Sequence, residues 1–437
     1  MTFKLSEFAK RRKLLTQHLG KKSVAILPTA PEVMRNRDSD YPFRADSDFY
    51  YLTGFHEPEA LAIIMSEGKS TKFILFCREK DPKMEIWTGA RVGLENAVAQ
   101  YGATEAYAYS DIDEILPLLL ENQDKIFYSL GNHEALDFQL IQWLNEVKQK
   151  SRAGITAPNE IITLDKIIHE MRLYKSPSEI KTMRHAAKIS SQAHRRAMQA
   201  CQADMYEYEI EAEILHTFRK NNCVPAYNSI VGGGQNACTL HYTSNNTRLN
   251  DGELLLIDAG AELNYYASDI TRTFPINGKF SAPQKAIYDI VLQAQLAAIN
   301  QVKPGQTWNA PHQAAVKKLT QGLLELGLLK GNIKELIENE TYRKFYMHRT
   351  GHWLGMDVHD VGEYKINGKW RRLVPGMVLT IEPGIYIPAG SKGVNIKWWN
   401  IGIRIEDDVL VTPQGHEVLS CDAPKTTEEI ERLMATK

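Results

Sequence analysis

The sequence predicts a mixed α/β chain, α+β in character, that folds as two domains. Its first 170 or so residues alternate short apolar, β-rich runs with helical stretches, whereas residues 346–412 are Gly-rich and strand-like with few helical patterns. At 437 residues the chain has material for two or three separate cores. Between the two textures, SRAGITAPNE (151–160) is polar with Gly and Pro, a linker composition. A division near residue 172 gives domains 1–172 and 173–437.

In the first domain, SVAILP (23–28), ALAIIM (60–65) and KFILFC (72–77) read as strands. The stretch 133–149, with Leu136, Phe138, Leu140, Ile141 and Trp143, reads as a helix. The second domain opens on Ser176-Pro177-Ser178-Glu179. Ser at the N-cap, Pro at the first helical position and Glu three residues after the cap satisfy the free amides of a new helix. Its amphipathic pattern runs to about Cys201. Residues 252–274 read as paired strands, with Asp258 ending one and Asp269 in the middle of a return strand over 265–274. Helices are expected over 282–303 and 309–327.

Charge excludes several functions. The 52 basic and 53 acidic residues leave no field that would gather nucleic acid or an anionic membrane surface. No apolar run approaches the roughly 18 residues that suggest a membrane span. The polar start, MTFKLSEFAKRRKLL, lacks the apolar stretch of a secretory signal. Five cysteines without C-x-x-C spacing read as reduced, mostly buried thiols of a cytoplasmic protein.

The chemistry lies in Asp258, Asp269, His352, Glu382 and Glu406. Each alone has an ordinary reading: a turn cap, a salt-bridged strand residue or a solvated loop histidine. Together, four hard carboxylates and one imidazole are the ligand types that hold two divalent ions close together. Each stands on a strand or strand end, most of them beside Gly, which lets a backbone approach a site closely. Such a centre polarises a carbonyl and generates hydroxide at neutral pH, so the set points to hydrolysis.

The motifs that carry these residues are D-A-G (258–260), S-D-I-T-R-T-F (268–274), H-R-T-G-H-W-L-G-M-D-V-H-D (348–360), E-P-G-I-Y (382–386) and R-I-E-D-D (404–408). They resemble the pita-bread metallopeptidases, the family of methionine aminopeptidase, prolidase, creatinase and aminopeptidase P. Tyr41-Pro42-Phe43-Arg44, Ser47-Asp48-Phe49 and Tyr51-Leu52-Thr53-Gly54-Phe55 extend the resemblance to the first domain of the aminopeptidase P branch. It implies a creatinase-like α/β domain followed by a curved, mostly antiparallel sheet covered by helices. It also implies an enzyme that cleaves the bond before proline in second position.

The resemblance further implies site roles. Asp258 would bind one metal, His352 and Glu382 the other, with Asp269 and Glu406 bridging; two Mn²⁺ ions are the expected pair. Glu382 would move protons, while His359 and His241 would contact the substrate and the developing oxyanion. His348 would line the proline side, with Trp353 among the flat walls of that pocket. Arg404 would hold Asp258 or anchor a substrate carboxylate, and Tyr386 would donate a hydrogen bond nearby. Trp87 would close a neighbouring subunit's pocket in a homo-oligomer, a dimer or tetramer. Two other readings stand beside this one: a prolidase confined to dipeptides, and a non-catalytic binding protein on the same fold.

Overall fold

The computed structural model describes residues 3–67 and 70–436. The chain divides into two compact units between Met171 and Arg172.

The first unit is built on a six-stranded mixed sheet. Its strands are β1 (Ser23–Pro28), β2 (Leu61–Glu67), β3 (Ser70–Cys77), β4 (Glu105–Ala108), β5 (Lys125–Phe127) and β6 (Glu160–Ile162), in the order β4-β3-β2-β1-β5-β6. β1 runs antiparallel to β2 and parallel to β5. The apolar runs read as strands form the centre of this sheet. Val24, Ile26, Ile63, Ile74 and Phe76 bury one face against Leu140, Trp143 and Val147 of the helix Glu134–Gln149. Five fully buried aliphatic and aromatic side chains of this kind supply about 1.5–3 kcal/mol each.

The second unit begins with the helix Pro177–Ala200. Its predicted capping box is present: the Glu179 amide donates to Ser176 Oγ, and the Ser176 amide donates to the Glu179 carboxylate at 2.8 Å. The remaining strands used here are β7 (Ile230–Gly233), β8 (Leu254–Asp258), β9 (Thr271–Pro275), β10 (Lys365–Ile366), β11 (Lys369–Trp370), β12 (Val378–Ile381), β13 (Gly384–Ile387), β14 (Ile401–Arg404), β15 (Asp407–Thr412) and β16 (Gly415–Val418). Every pairing among them is antiparallel, in sheets β7-β8-β9, β12-β15-β16 and β13-β14 and the hairpin β10-β11. Helices Ala282–Ile299 and Ala310–Glu325 pack on each other and share one apolar core with these strands, including Ile257, Phe274, Tyr288, Val291, Leu319, Leu379 and Ile403. The first of these helices stops at Ile299, ahead of Pro304, which cannot continue a helix.

Two features differ from the sequence reading. Asp269 is not in the middle of a strand. Residues 259–270 instead fold out into a small hairpin (Ala261–Leu263 with Tyr266–Ala267), and the chain rejoins β8 only at Thr271, opposite Asp258. The Asp269 amide leaves the ladder and donates to the Asp408 carboxylate at 3.1 Å. The antiparallel sheet is also segmented. Between β9 and β14 side chains replace ladder bonds: the Arg404 amide donates to Thr273 Oγ1 at 3.2 Å, and Thr273 Oγ1 donates to the Arg404 carbonyl at 3.1 Å. The ligand-type residues lie along this seam. Among the described residues no helix is long and apolar enough to cross a membrane.

Candidate metal centre

All five expected ligands line one cavity of about 720 Å³ in the second unit, together with His241, His348, His359 and Arg404. A volume of this size suits a peptide-sized ligand. Ligand atoms of Asp269, His352 and Glu406 lie within 4.8 Å of one another. His352 Nε2 is 3.3 Å from Asp269 Oδ2 and 3.8 Å from Glu382 Oε1. The Asp258 and Asp269 carboxylates are joined by Tyr227, whose hydroxyl is 2.6 Å from Oδ1 of each.

Local structure explains how residues so far apart in sequence meet. Asp258 ends β8, and its pairing with Thr271 sets the spacing to the Asp269 segment. Gly260 makes the intervening hairpin possible. A Cβ there would lie 1.7 Å from the Ser268 carbonyl oxygen, so no side chain fits. His352 is laid along β12: its amide donates to Thr380 Oγ1 at 3.1 Å, and the Thr380 amide donates back to the His352 carbonyl at 3.0 Å. The Glu382 amide donates to the Thr350 carbonyl at 2.8 Å, which brings Glu382 beside His352. Glu406 leaves β14 and is anchored twice on Thr271, through its own amide and through Thr271 Oγ1, which donates to Glu406 Oε2 at 2.6 Å.

Hydrogen bonds assign the tautomers of two histidines. His352 Nδ1 is 2.9 Å from the Trp353 carbonyl, so it carries a proton there and aims Nε2 at the carboxylates: protonated, Nε2 donates to Asp269, and loss of that proton frees the lone pair that a metal ligand uses. His348 Nδ1 is likewise 2.7 Å from the Arg349 carbonyl, so its Nε2 accepts from the Tyr386 hydroxyl at 2.8 Å. Burial and the Arg404 charge push His348 down to about 3, which keeps it neutral. The Tyr386 oxygen in turn accepts from Arg404 Nη1 at 3.1 Å, and Arg404 Nη2 donates to Asp258 Oδ2 at 2.7 Å.

The cluster carries more negative charge than its neighbours neutralise. Burial, then repulsion from Asp269 and Glu382, pushes Glu406 well above the usual carboxylate range. Burial raises Glu382 to about 7. Burial raises Asp258 as well, against the opposing pull of Arg404. Although burial opposes both, the Asp269–His352 hydrogen bond holds Asp269 low and lifts His352 to about 9. A single Tyr227 proton also cannot serve two carboxylates at once. Four buried carboxylates and one imidazole are the ligand types that hard divalent cations take, and the single guanidinium offsets only part of their charge.

His359 is exposed at the cavity mouth with its ring 4.1 Å from that of His352; His241 is exposed as well. Trp353 is not a pocket wall: it is fully buried, stacked on Tyr364 and against Trp308, and Trp308 faces the cavity in its place. Trp87 lies in the first unit on the helix Pro82–Thr88 and is 83% exposed. Sequence reasoning missed Tyr227. Its only signal was its position just before β7, whose Ile230 pairs with Asp258.

With this geometry established, comparison with known proteins identifies the class. Residues 181–413 match metallopeptidase family M24, and residues 8–128 match the aminopeptidase P N-terminal domain. The chain belongs to metallopeptidase family M24. It is 44% identical over 430 residues to Xaa-Pro aminopeptidase of Escherichia coli K12, covering 98% of this chain and 97% of that one. Its structure matches an aminopeptidase of Pseudomonas aeruginosa at a TM-score of 0.98 and 52% identity, covering 100% and 99% of the two chains. It matches zinc-substituted E. coli aminopeptidase P in complex with product at a TM-score of 0.97 and 43% identity, with the same coverage. The mixed α/β fold expected from the sequence, with an aminopeptidase P-type domain preceding the metallopeptidase domain, is the one found.

Proposed function

We propose that the protein is a two-metal aminopeptidase that hydrolyses the N-terminal Xaa-Pro bond and releases the first residue of peptides with proline second. The observation that carries this reading is the convergence of Asp258, Asp269, His352, Glu382 and Glu406 in one cavity with His241, His348 and His359. Asp258 would hold one ion, His352 and Glu382 the other, with Asp269 and Glu406 shared. Mn²⁺ is the ion assigned, because an oxygen-rich set with a single imidazole suits it. Bound there, the ions supply Lewis acidity and lower the pKa of water at neutral pH.

The protein's own groups do the rest. Glu382, between His348 Nδ1 at 3.6 Å and His352 Nε2, takes the proton of the attacking water and delivers it to the leaving prolyl nitrogen. His359 and His241, free at the cavity mouth, donate to the scissile and proline carbonyls; one such donor typically contributes about 2.7–4 kcal/mol to the barrier. Arg404 is committed to Asp258 and Tyr386, which favours a role in holding the ligand over anchoring a substrate carboxylate. Neutral His348, fixed by Tyr386, gives the proline ring a flat, uncharged wall. An Xaa-Pro bond has no N–H to grip, so recognition falls on the ring itself.

The first unit is assigned assembly and pocket closure. Helix Pro82–Thr88 buries none of its residues, and Ile86 and Trp87 are 82% and 83% exposed, an apolar pair that a second copy would cover in a homo-oligomer. The thiols of Cys77, Cys201 and Cys223 are buried and unoxidised, which suits a cytoplasmic setting. The test is metal-stripped protein reconstituted with Mn²⁺, Co²⁺ or Zn²⁺ and assayed on Xaa-Pro dipeptides and Xaa-Pro-Yaa tripeptides. Turnover of tripeptides after Mn²⁺ addition is expected. Turnover confined to dipeptides would make the protein a prolidase, and a silent protein that binds no metal would restore the non-catalytic reading.

A further inference from the structure

The cavity continues past the five ligands onto Arg349, Tyr364, Lys365 and Trp370, which no step above uses. Their placement is built by the fold. Lys365 and Trp370 are cross-strand partners in the hairpin β10–β11. Asn367 and Gly368 close it, both at positive φ (49° and 76°), the backbone of the tight two-residue turn that Asn-Gly favours. The hairpin is tied at its base: the Arg371 amide donates to the Tyr364 carbonyl at 2.9 Å, the Trp308 amide donates to the Arg371 carbonyl at 2.8 Å, and Tyr364 stacks on buried Trp353 at an interplanar angle of 2°.

Two cations rest on the Trp370 indole. Lys365 Nζ is 4.4 Å from the ring centroid and the Arg349 guanidinium 5.2 Å, and Arg349 Nη2 donates to Asn309 Oδ1 at 2.7 Å. Among the described residues no carboxylate pairs with either. All four cavity carboxylates are ligands in the metal centre, so this rim is positive against an acidic floor. A peptide whose first residue is removed enters amino end first, and the residues after its proline then run from the metal ligands toward the rim.

Resting on the Xaa-Pro aminopeptidase reading, we propose that Arg349 and Lys365, set around Trp370, form a subsite for a carboxylate carried downstream of the proline. That carboxylate is either the C-terminus of a tripeptide or an acidic side chain at the third residue. Trp370 holds the two cations in place and offers an apolar face to the backbone between proline and carboxylate.

Two substrate pairs separate the sources: Ala-Pro-Ala as free acid against its C-terminal amide, and Ala-Pro-Glu amide against Ala-Pro-Gln amide. The Mn²⁺-loaded enzyme should prefer the carboxylate member of at least one pair by about tenfold in kcat/KM, the value of one charge-assisted contact. The difference should lie mainly in KM, because an interaction away from the reacting bond is made equally in ground and transition states. Arg349→Gln should shrink the preference, and Lys365→Glu, exposed on the hairpin, should invert it. Both wild-type ratios lying within about twofold of unity would overturn the proposal. So would variants that slow both members of a pair by one common factor, the mark of a merely structural role. A wild-type enzyme that cleaves none of the four peptides would remove the aminopeptidase reading itself, and this subsite with it.

Discussion

Glu406 and Asp407 are chain neighbours, both buried, and the fold surrounds them in opposite ways. Asp407 is met by Arg272 Nη2 at 2.7 Å, Lys425 Nζ at 2.6 Å, Gln295 Nε2 at 2.6 Å and Ser420 Oγ at 2.7 Å. Although burial opposes it, Arg272 and Lys425 hold its carboxyl well below the usual range. Among the described residues Glu406 accepts only from Thr271, and burial, then repulsion from Asp269, Glu382 and Asp258, moves its pKa the other way. Successive side chains of an extended chain point to opposite faces, so one peptide unit separates a sealed ion cluster from a site short of positive charge. A buried acid whose partners come from within the fold belongs to the scaffold. One whose partners are other acids implies a cation from outside.

Breaking the open side should have the largest effect. Glu406→Ala or Asp269→Ala should reduce turnover to background and bound metal toward zero together, read by peptide assay and metal analysis; full turnover in either would remove the shared-ligand assignment. On the sealed side, Asp407→Ala should destabilise the fold by about 3–5 kcal/mol in denaturant titration, because it leaves Arg272 buried without its counter-charge. His359→Ala should keep the metals and slow turnover about 100- to 1,000-fold, as loss of one oxyanion donor does. Metal loss in that variant would make His359 a ligand.

The smallest effect sharpens the contrast through pH. In metal-free protein Glu382 is raised from 4.5 to about 7, so the stability it contributes is complete below pH 4.5 and is lost as pH rises toward 7. Asp407 is depressed from 3.8, so its contribution is present above that pH and is lost as pH falls below it. Metal-free protein should therefore melt a few degrees lower at pH 7.5 than at pH 5, roughly what 1 kcal/mol moves a domain of this size. Saturating Mn²⁺ should remove the difference. An identical melting temperature at both pH values without metal would show that the cluster is already compensated.

The five residues that converge in the cavity were legible because each sits in a short motif whose residue types are costly to bury without a partner. The helix start at Ser176 was legible for a similar reason: its cap is satisfied within four residues. What stayed hidden depends on pairing between distant segments. Tyr227 reaches Asp258 and Asp269 only because β7 lies against β8, which no local pattern announces. Asp269 was misplaced into a strand because alternation continues through 265–274, while the competing bond from its amide goes to Asp408, 139 residues away. Trp353 was misplaced into the pocket wall for a comparable reason. The Trp308 and Trp353 rings, 4.1 Å apart, share one aromatic cluster, and only their packing decides which of them lines the cavity.

The contact of Gly260 with the Ser268 carbonyl also bears on how the protein can be altered. Even a methyl group at that position would push the Asp258 turn away from the Asp269 segment, so directed evolution for new substrates has no tolerated step there. In the β10–β11 hairpin, by contrast, Lys365, Ile366 and Lys369 are exposed, and only the positive-φ turn at Asn367-Gly368 constrains the residue type. Libraries aimed at changing which peptides are trimmed should therefore diversify that hairpin and leave Gly260 untouched.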